Sequence, residues 1–303
     1  VMVSIKNVNF STFGNCLEIS NGVVVLRVTT DLGPRIIYYG TTDEDNMMHT
    51  DDQGLNKRPS EFLDKNYKKG EVWRIYGGHR LWKSPEDESS YQPDHNKVDV
   101  KLLDNGAEFF SGNDKVTGIG KTIKVTMAVN GDVTVEHAFY NCSDKPLNVA
   151  LWALSVMNKY GIAVIPMSKE DTGLLANRNL VIWPYTDVAD ERLKIKQEYI
   201  SMRQDPNCKG PMKIGTLNTE GVVYYIRNDK LVEKIFPKAK RDGNYADYSS
   251  STELYTCKDF IEVESLSELQ NIPVGGIATH TEIWKLHIAD KLYSDIKALI
   301  NEK

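Results

Sequence analysis

The sequence predicts an all-β protein, a large sandwich of antiparallel strands finished by a short C-terminal helix. Three observations point there. Apolar residues recur with a period of two along most of the chain, turn signals separate these runs, and one clear helical stripe appears, at the end. Many strands and few helices favour one sandwich-like domain over residues 1–303.

In chain order, the run Val23-Val24-Val25-Leu26-Arg27-Val28 follows the turn signal Asn21-Gly22 and reads as a buried strand. Val98, Val100 and Leu102 alternate with polar neighbours. Ile123, Val125, Met127 and Val129 form the next stripe, and Val133, Val135, His137 and Phe139 the one after. A three-residue loop, Asn130-Gly131-Asp132, would pair Val129 with Val133 and Val125 with His137. It keeps both apolar sets on one face, whereas a two-residue turn would not. Residues 147–157 are apolar on both parities, as in a strand covered on two sides. A hairpin across Asn228-Asp229 and two late strands, 260–266 and 279–286, follow. Leu292, Ile296, Leu299 and Ile300 then define a helix, with Asp290 as its cap. A short helix is expected around residues 60–64. The polar stretch 41–69 has few periodic signals and is long enough to form a lid.

Composition narrows the function. Lys+Arg 37 against Asp+Glu 42 gives a net charge of -5, with no basic footprint for nucleic acid. No apolar run is long enough to span a membrane. Cys16, Cys142, Cys208 and Cys257 lie far apart, which suggests free thiols in a reducing compartment. Residues 1–10 show no secretion pattern, so a cytoplasmic location is expected.

Several tempting motifs fail. Gly118-Ile119-Gly120-Lys121-Thr122 mimics a phosphate loop, but Lys115 stands where glycine is needed and a strand pattern follows. His79, Glu86, Asp87, Asp94 and His95 are ligand types without a ligand spacing, so no metal is expected. No cofactor is implied. The basic run Lys234, Lys238, Lys240, Arg241 reads as a solvated face.

Three places carry unusual chemistry. Residues 73–86 concentrate Trp73, Arg74, Gly77, Gly78, His79, Arg80, Trp82 and Glu86. Aromatic faces that stack on sugar C–H groups, beside charged groups that bond hydroxyls, suit a carbohydrate site. Glu262 and Glu264 share one strand face about 7 Å apart, from ~3.3 Å per residue, and one of them suits a general base. His137 lies on a mostly apolar face, and His280 and Glu282 share parity with Trp284.

These residues resemble the galactose mutarotase-like superfamily, the aldose 1-epimerase fold. The matching stretches are Ser20-Asn21-Gly22 with Gly33-Pro34-Arg35-Ile36, the pair Gly77-Gly78, Asn141-Cys142-Ser143-Asp144-Lys145-Pro146, and Ile261-Glu262-Val263-Glu264. Gly-Gly-His-Arg-Leu-Trp at 77–82 resembles a bacterial subgroup. The resemblance spans roughly residues 15–286.

It implies a β-supersandwich with a sugar cleft, and an isomerase that opens and recloses a sugar ring. Glu262 maps onto the base. The family's acid histidine is expected near residues 150–157, where this chain has none, so His79 or His137 is expected to substitute. Arg74, Arg80, Trp82, Glu86, Glu264 and His280 are the expected sugar binders. The partner is a small sugar or oligosaccharide. Two other readings stand beside this one: a non-catalytic carbohydrate-binding domain, and an oligosaccharide hydrolase or lyase pairing Glu262 with Glu264 or Glu86.

Overall fold

The computed structural model describes residues 2–301 and arranges most of them in two antiparallel sheets. The first sheet runs through Ser4–Asn9, Asn15–Ser20, Val24–Thr29, Ile36–Thr41, Gly78–Ser84, Leu147–Met157, Ile261–Leu266, Thr252–Thr256, Met212–Thr216 and Val181–Ile182. Gln270–Ile272 pairs with the start of Leu147–Met157. The second sheet runs through Leu193–Ile195, Tyr199–Arg203, Ile162–Pro166, Val222–Arg227, Lys230–Ile235, Ile277–Ile288, Val133–Asn141, Ile119–Met127, Gly106–Asp114 and Asp99–Leu103. A small ribbon, Lys57–Pro59 with Val72–Arg74, stands apart from both.

Period two decides what each sheet buries. From the first sheet, Leu81, Leu151, Met157, Ile261 and Val263 point inward and meet Val125, Val135, Phe139 and Trp284 of the second in one apolar core. The residues between them in sequence, Trp82, Trp152, Leu154, Phe260 and Leu266, form a separate cluster on the outer face. Residues 150–157 are therefore buried on both parities, as the sequence predicts.

The helix Lys291–Asn301 begins where expected. The Tyr293 amide donates to the Asp290 carboxylate at 2.9 Å, and Tyr293, Ile296 and Ile300 pack on Val164, Ile226 and Leu231. The helix Glu61–Asn66 is capped by Ser60, whose hydroxyl accepts from the Leu63 amide. The Asn228-Asp229 hairpin forms as read. All four cysteines are free thiols. No helix among the described residues is long and apolar enough to cross a membrane.

Three expectations need correction. Met127, not Val129, sits opposite Val133, and Ile123, not Val125, sits opposite His137. The three-residue turn is 129–131 and not 130–132, because the Ala128 amide donates to the Asp132 carbonyl and leaves Val129 exposed at the tip. The face of His137 is unchanged, since a shift of two preserves parity. Val100 and Leu102 are exposed because Asp99–Leu103 is the last strand of its sheet. Lys234 does not belong to a solvated face. It is buried between the sheets and pairs with Glu282 at 2.8 Å.

Candidate functional site

The outer face of the first sheet is the floor of a cleft of about 550 Å³. Gly77 and Gly78 set its central strand. Both have left-handed backbones (φ 103° and 68°), and a Cβ on them would strike the carbonyls of His49 and Ile36 at 2.0 and 2.2 Å. The chain presses against those backbones, and Arg80 and Trp82 then face out while His79 and Leu81 face in.

Register assembles the floor in rows. Trp82 lies opposite Trp152. Arg80 lies opposite Leu154, Leu154 opposite Glu264, and Glu264 opposite Glu253. Val156 lies opposite Glu262, Glu262 opposite Tyr255, and Tyr255 opposite Lys213. Trp73, Tyr91, Trp183, Tyr185 and Phe260 complete aromatic walls. Of the chain's five tryptophans, Trp284 alone is not at the cleft. Leu55, Asn56, Lys57 and Arg58, from the polar stretch 41–69, form part of the rim.

Glu262 and Arg80 are the paired charges on this floor. A guanidinium nitrogen of Arg80 donates to the Glu262 carboxylate at 3.3 Å. The guanidinium also lies over the Trp82 ring, 4.3 Å from its centroid. Arg80 Nε and Nη1, and the indole N–H groups of Trp73 and Trp82, find no acceptor among the described residues. Burial pushes Glu262 up to about 7; Arg80 opposes this and Glu264 adds to it. A carboxyl poised near neutrality suits proton transfer.

Lys213, which lines the cleft, lies 2.8 Å from Glu253 and 3.3 Å from Glu264. Burial works to lower its pKa, but the two carboxylates outweigh it and keep the ammonium charged. Burial raises Glu253 strongly. Glu264 accepts from the Trp152 indole at 2.7 Å and is fully buried, so it supports the floor without lining the cleft. Glu86 does line it, at the exposed rim, and accepts from the Tyr91 hydroxyl. Arg74 is not among the lining residues; it sits on the small ribbon opposite Lys57.

The structure separates the expected histidines from the cleft. His79, His137 and His280 lie between the sheets, almost fully buried. Their odd or even parity places them on the inner faces of strands whose alternate residues face outward. His137 Nδ1 lies 2.7 Å from the His280 carbonyl and must donate to it. Its Nε2 therefore accepts from His79 Nε2–H at 2.7 Å. His79 Nδ1 in turn accepts from the Ser155 hydroxyl, whose oxygen accepts from Lys234. Ser265 bonds His280 Nε2 at 2.7 Å. Burial lowers all three imidazole pKa values, that of His280 to about 3, so the rings are neutral.

Ligand-type atoms of His79, His137 and Glu282 lie within 4.8 Å of one another. His79 and His137 bond each other and the Lys234 ammonium sits on Glu282 Oε2, while Glu282 Oε1 has no hydrogen-bond partner among the described residues. The other expected ligand types have separate partners: Asp94 pairs with Arg35, His95 with Glu71 and Asp87 with Lys83.

Sequence reasoning passed over Lys213, Trp183, Tyr185 and Tyr255. Lys213 and Gly215 alternate with buried Met212 and Ile214, a polar parity that reads as solvent-facing in a single strand. It also passed over His49, whose ring packs against Phe260 with centroids 5.2 Å apart.

No family model matches the chain, and no curated protein matches it in sequence. Solved structures do match in fold. A candidate aldose 1-epimerase from Klebsiella pneumoniae superposes with a TM-score of 0.62 at 12% identity, covering 98% of this chain and 86% of that one. A galactose mutarotase-like protein from Lactobacillus casei gives 0.55 at 13% identity, covering 90% and 100%. A TPR-domain-containing protein from Parabacteroides distasonis gives 0.61 at 11% identity; 91% of this chain is covered, against 48% of that longer one. The chain thus has the galactose mutarotase-like fold, a β-sandwich with a short C-terminal helix.

Proposed function

We propose that the cleft binds a carbohydrate and that Glu262 acts there as general base at the anomeric carbon, as in an aldose 1-epimerase. The observation that carries this reading is the Glu262 carboxyl, held near neutrality on a floor of tryptophans beside Arg80. Aromatic faces take the C–H side of a pyranose, while Arg80 and the free indole N–H groups offer donors to its oxygens. Ring opening needs a proton taken from the anomeric hydroxyl and one given to the ring oxygen. No histidine is among the lining residues, so the proton donor comes from Tyr185, Tyr255 or Lys213, each of which keeps its proton at neutral pH.

The missing imidazole favours a second reading, a carbohydrate-binding cleft without turnover. The hydrolytic reading loses Glu264, which is tied to Lys213 and Trp152, and keeps only Glu86 at the rim. NMR exchange between anomers, run over a panel of aldoses, sugar phosphates and uronic acids, separates these readings. Acceleration by wild type and not by Glu262→Gln supports the epimerase. Line broadening without acceleration supports the binding domain, and the absence of both effects overturns the epimerase reading.

A further inference from the structure

We infer that the cleft continues over Trp183 into a second saccharide subsite, so that the ligand is a neutral oligosaccharide and not a single sugar. The inference rests on the carbohydrate reading of the cleft. A groove of about 400 Å³ is lined by Val181, Ile182, Trp183, Pro184, Asp247 and Tyr248. Trp183 lines both this groove and the cleft, and Tyr185, two residues on, lines the cleft. One short segment therefore forms the shared wall, and the two depressions adjoin on either side of Trp183.

The far side of the groove is a turn whose backbone is strained. Asp247, Tyr248 and Ser249 have φ values of 50°, 54° and 67°, three successive left-handed residues with none of them glycine. L-residues visit this region as single residues, and a run persists only where its surroundings hold it. Here the Ser250 amide donates to the Ala246 carbonyl at 3.0 Å and the Ser250 hydroxyl to the Asp247 carbonyl at 2.8 Å. Asn179 donates from its side chain to the Ser249 carbonyl at 3.2 Å. Gly215 lies beneath, where a Cβ would meet the Ser250 hydroxyl at 2.3 Å.

All of this anchoring acts on the backbone. Tyr248 itself is 91% exposed, and Ile182 beside the groove is 52% exposed. The fold thus holds a large aromatic ring out in water, where it contributes nothing to the core. A ring so placed across a groove from an indole is a stacking platform for a sugar. Asp247 also lines the groove, with its carboxyl against that of buried Glu253. No cationic side chain lines this groove, so it favours a neutral chain over a uronate or a phosphorylated one.

The test is calorimetric titration of the intact chain with ladders of β-1,4-glucose, α-1,4-glucose and β-1,4-mannose oligosaccharides, one to six units long. In at least one ladder, wild type should bind the trimer roughly three- to tenfold more tightly than the monomer, from one added stacking contact. Tyr248→Ala should bring that ratio close to one. Tyr248→Asn, which keeps a side chain tolerant of the left-handed backbone, should do the same while preserving the fold. Monomer and trimer binding equally to wild type, or a ratio unchanged in both variants, overturns the second subsite alone. Binding of no saccharide in any ladder overturns the carbohydrate reading together with it.

Discussion

The same three strands, Gly78–Ser84, Leu147–Met157 and Ile261–Leu266, carry two polar clusters on opposite faces. The outer face holds Arg80, Glu262 and Glu264, joined by Lys213 and Glu253 from neighbouring strands. The inner face holds His79, Ser155 and Ser265, joined by His137, His280, Lys234 and Glu282 from the opposing sheet. Both clusters contain a buried lysine, Lys213 between two carboxylates and Lys234 between a carboxylate and a hydroxyl. They differ in access. The outer cluster opens on a cleft of about 550 Å³, and the inner one is sealed by Trp284 and the apolar core. Residue type alone would rank the inner cluster, with its three histidines, as the reactive one. Position reverses that ranking, because a proton donor must reach the substrate.

The comparison breaks first on rate. Glu262→Gln should lower anomeric exchange by about 10²–10⁴-fold, the usual worth of one positioned acid or base. Sugar binding, measured by titration calorimetry, should persist. A comparable loss on removing an inner histidine would erase the distinction between the faces.

The next effect is on stability. Lys213→Met leaves Glu253 and Glu264 buried without their cation and should cost about 3–5 kcal/mol in urea unfolding. A cost below about 1 kcal/mol would mean that the outer pairs do not hold the floor together.

A stability cost without a loss of rate marks the inner face. His137→Leu orphans the His79 Nε2–H group and the His280 carbonyl, at about 1–3 kcal/mol for each group left buried and unpaired. Exchange per folded molecule should be unchanged.

The smallest effect is a pH drift. The Glu262 pKa is raised on folding to about 7, so the native state binds its proton more tightly than the unfolded chain does. Its contribution to stability is present below the ordinary glutamate range and is lost as pH rises through 7. Wild type should therefore lose stability relative to Glu262→Gln across that window and run parallel to it above. The exchange rate should rise over the same window as the base ionises. A rate that is flat with pH between 5 and 8 would remove Glu262 from the proton transfer.

Much of this molecule was legible in its residues. Alternation located the strands, and the doubly apolar run at residues 147–157 marked a strand covered on both sides. The parity of Glu262 and Glu264 put both carboxylates on one face, and Asp290 marked the last helix. The alternation at residues 78–84, which sets His79 and Arg80 on opposite faces, was hidden by the Gly77-Gly78 turn and went unread. Alternation could not say which face was open, since that depends on what the second sheet covers. Lys213 and Lys234 were lost for the same reason. A lysine alternating with apolar residues looks solvated until a carboxylate from a distant strand is brought against it, as Glu253 is for Lys213 and Glu282 for Lys234. Trp183 and Tyr185 lie in a segment without strong periodicity, placed by pairing with Met212–Thr216.

The most direct test of the divided faces is NMR exchange between sugar anomers, measured per folded molecule for wild type, Glu262→Gln and His137→Leu together. The account predicts acceleration by wild type and by His137→Leu alike, and background exchange with Glu262→Gln. Loss of acceleration in His137→Leu with retention in Glu262→Gln would contradict it, and would place the chemistry on the sealed side of the sheet.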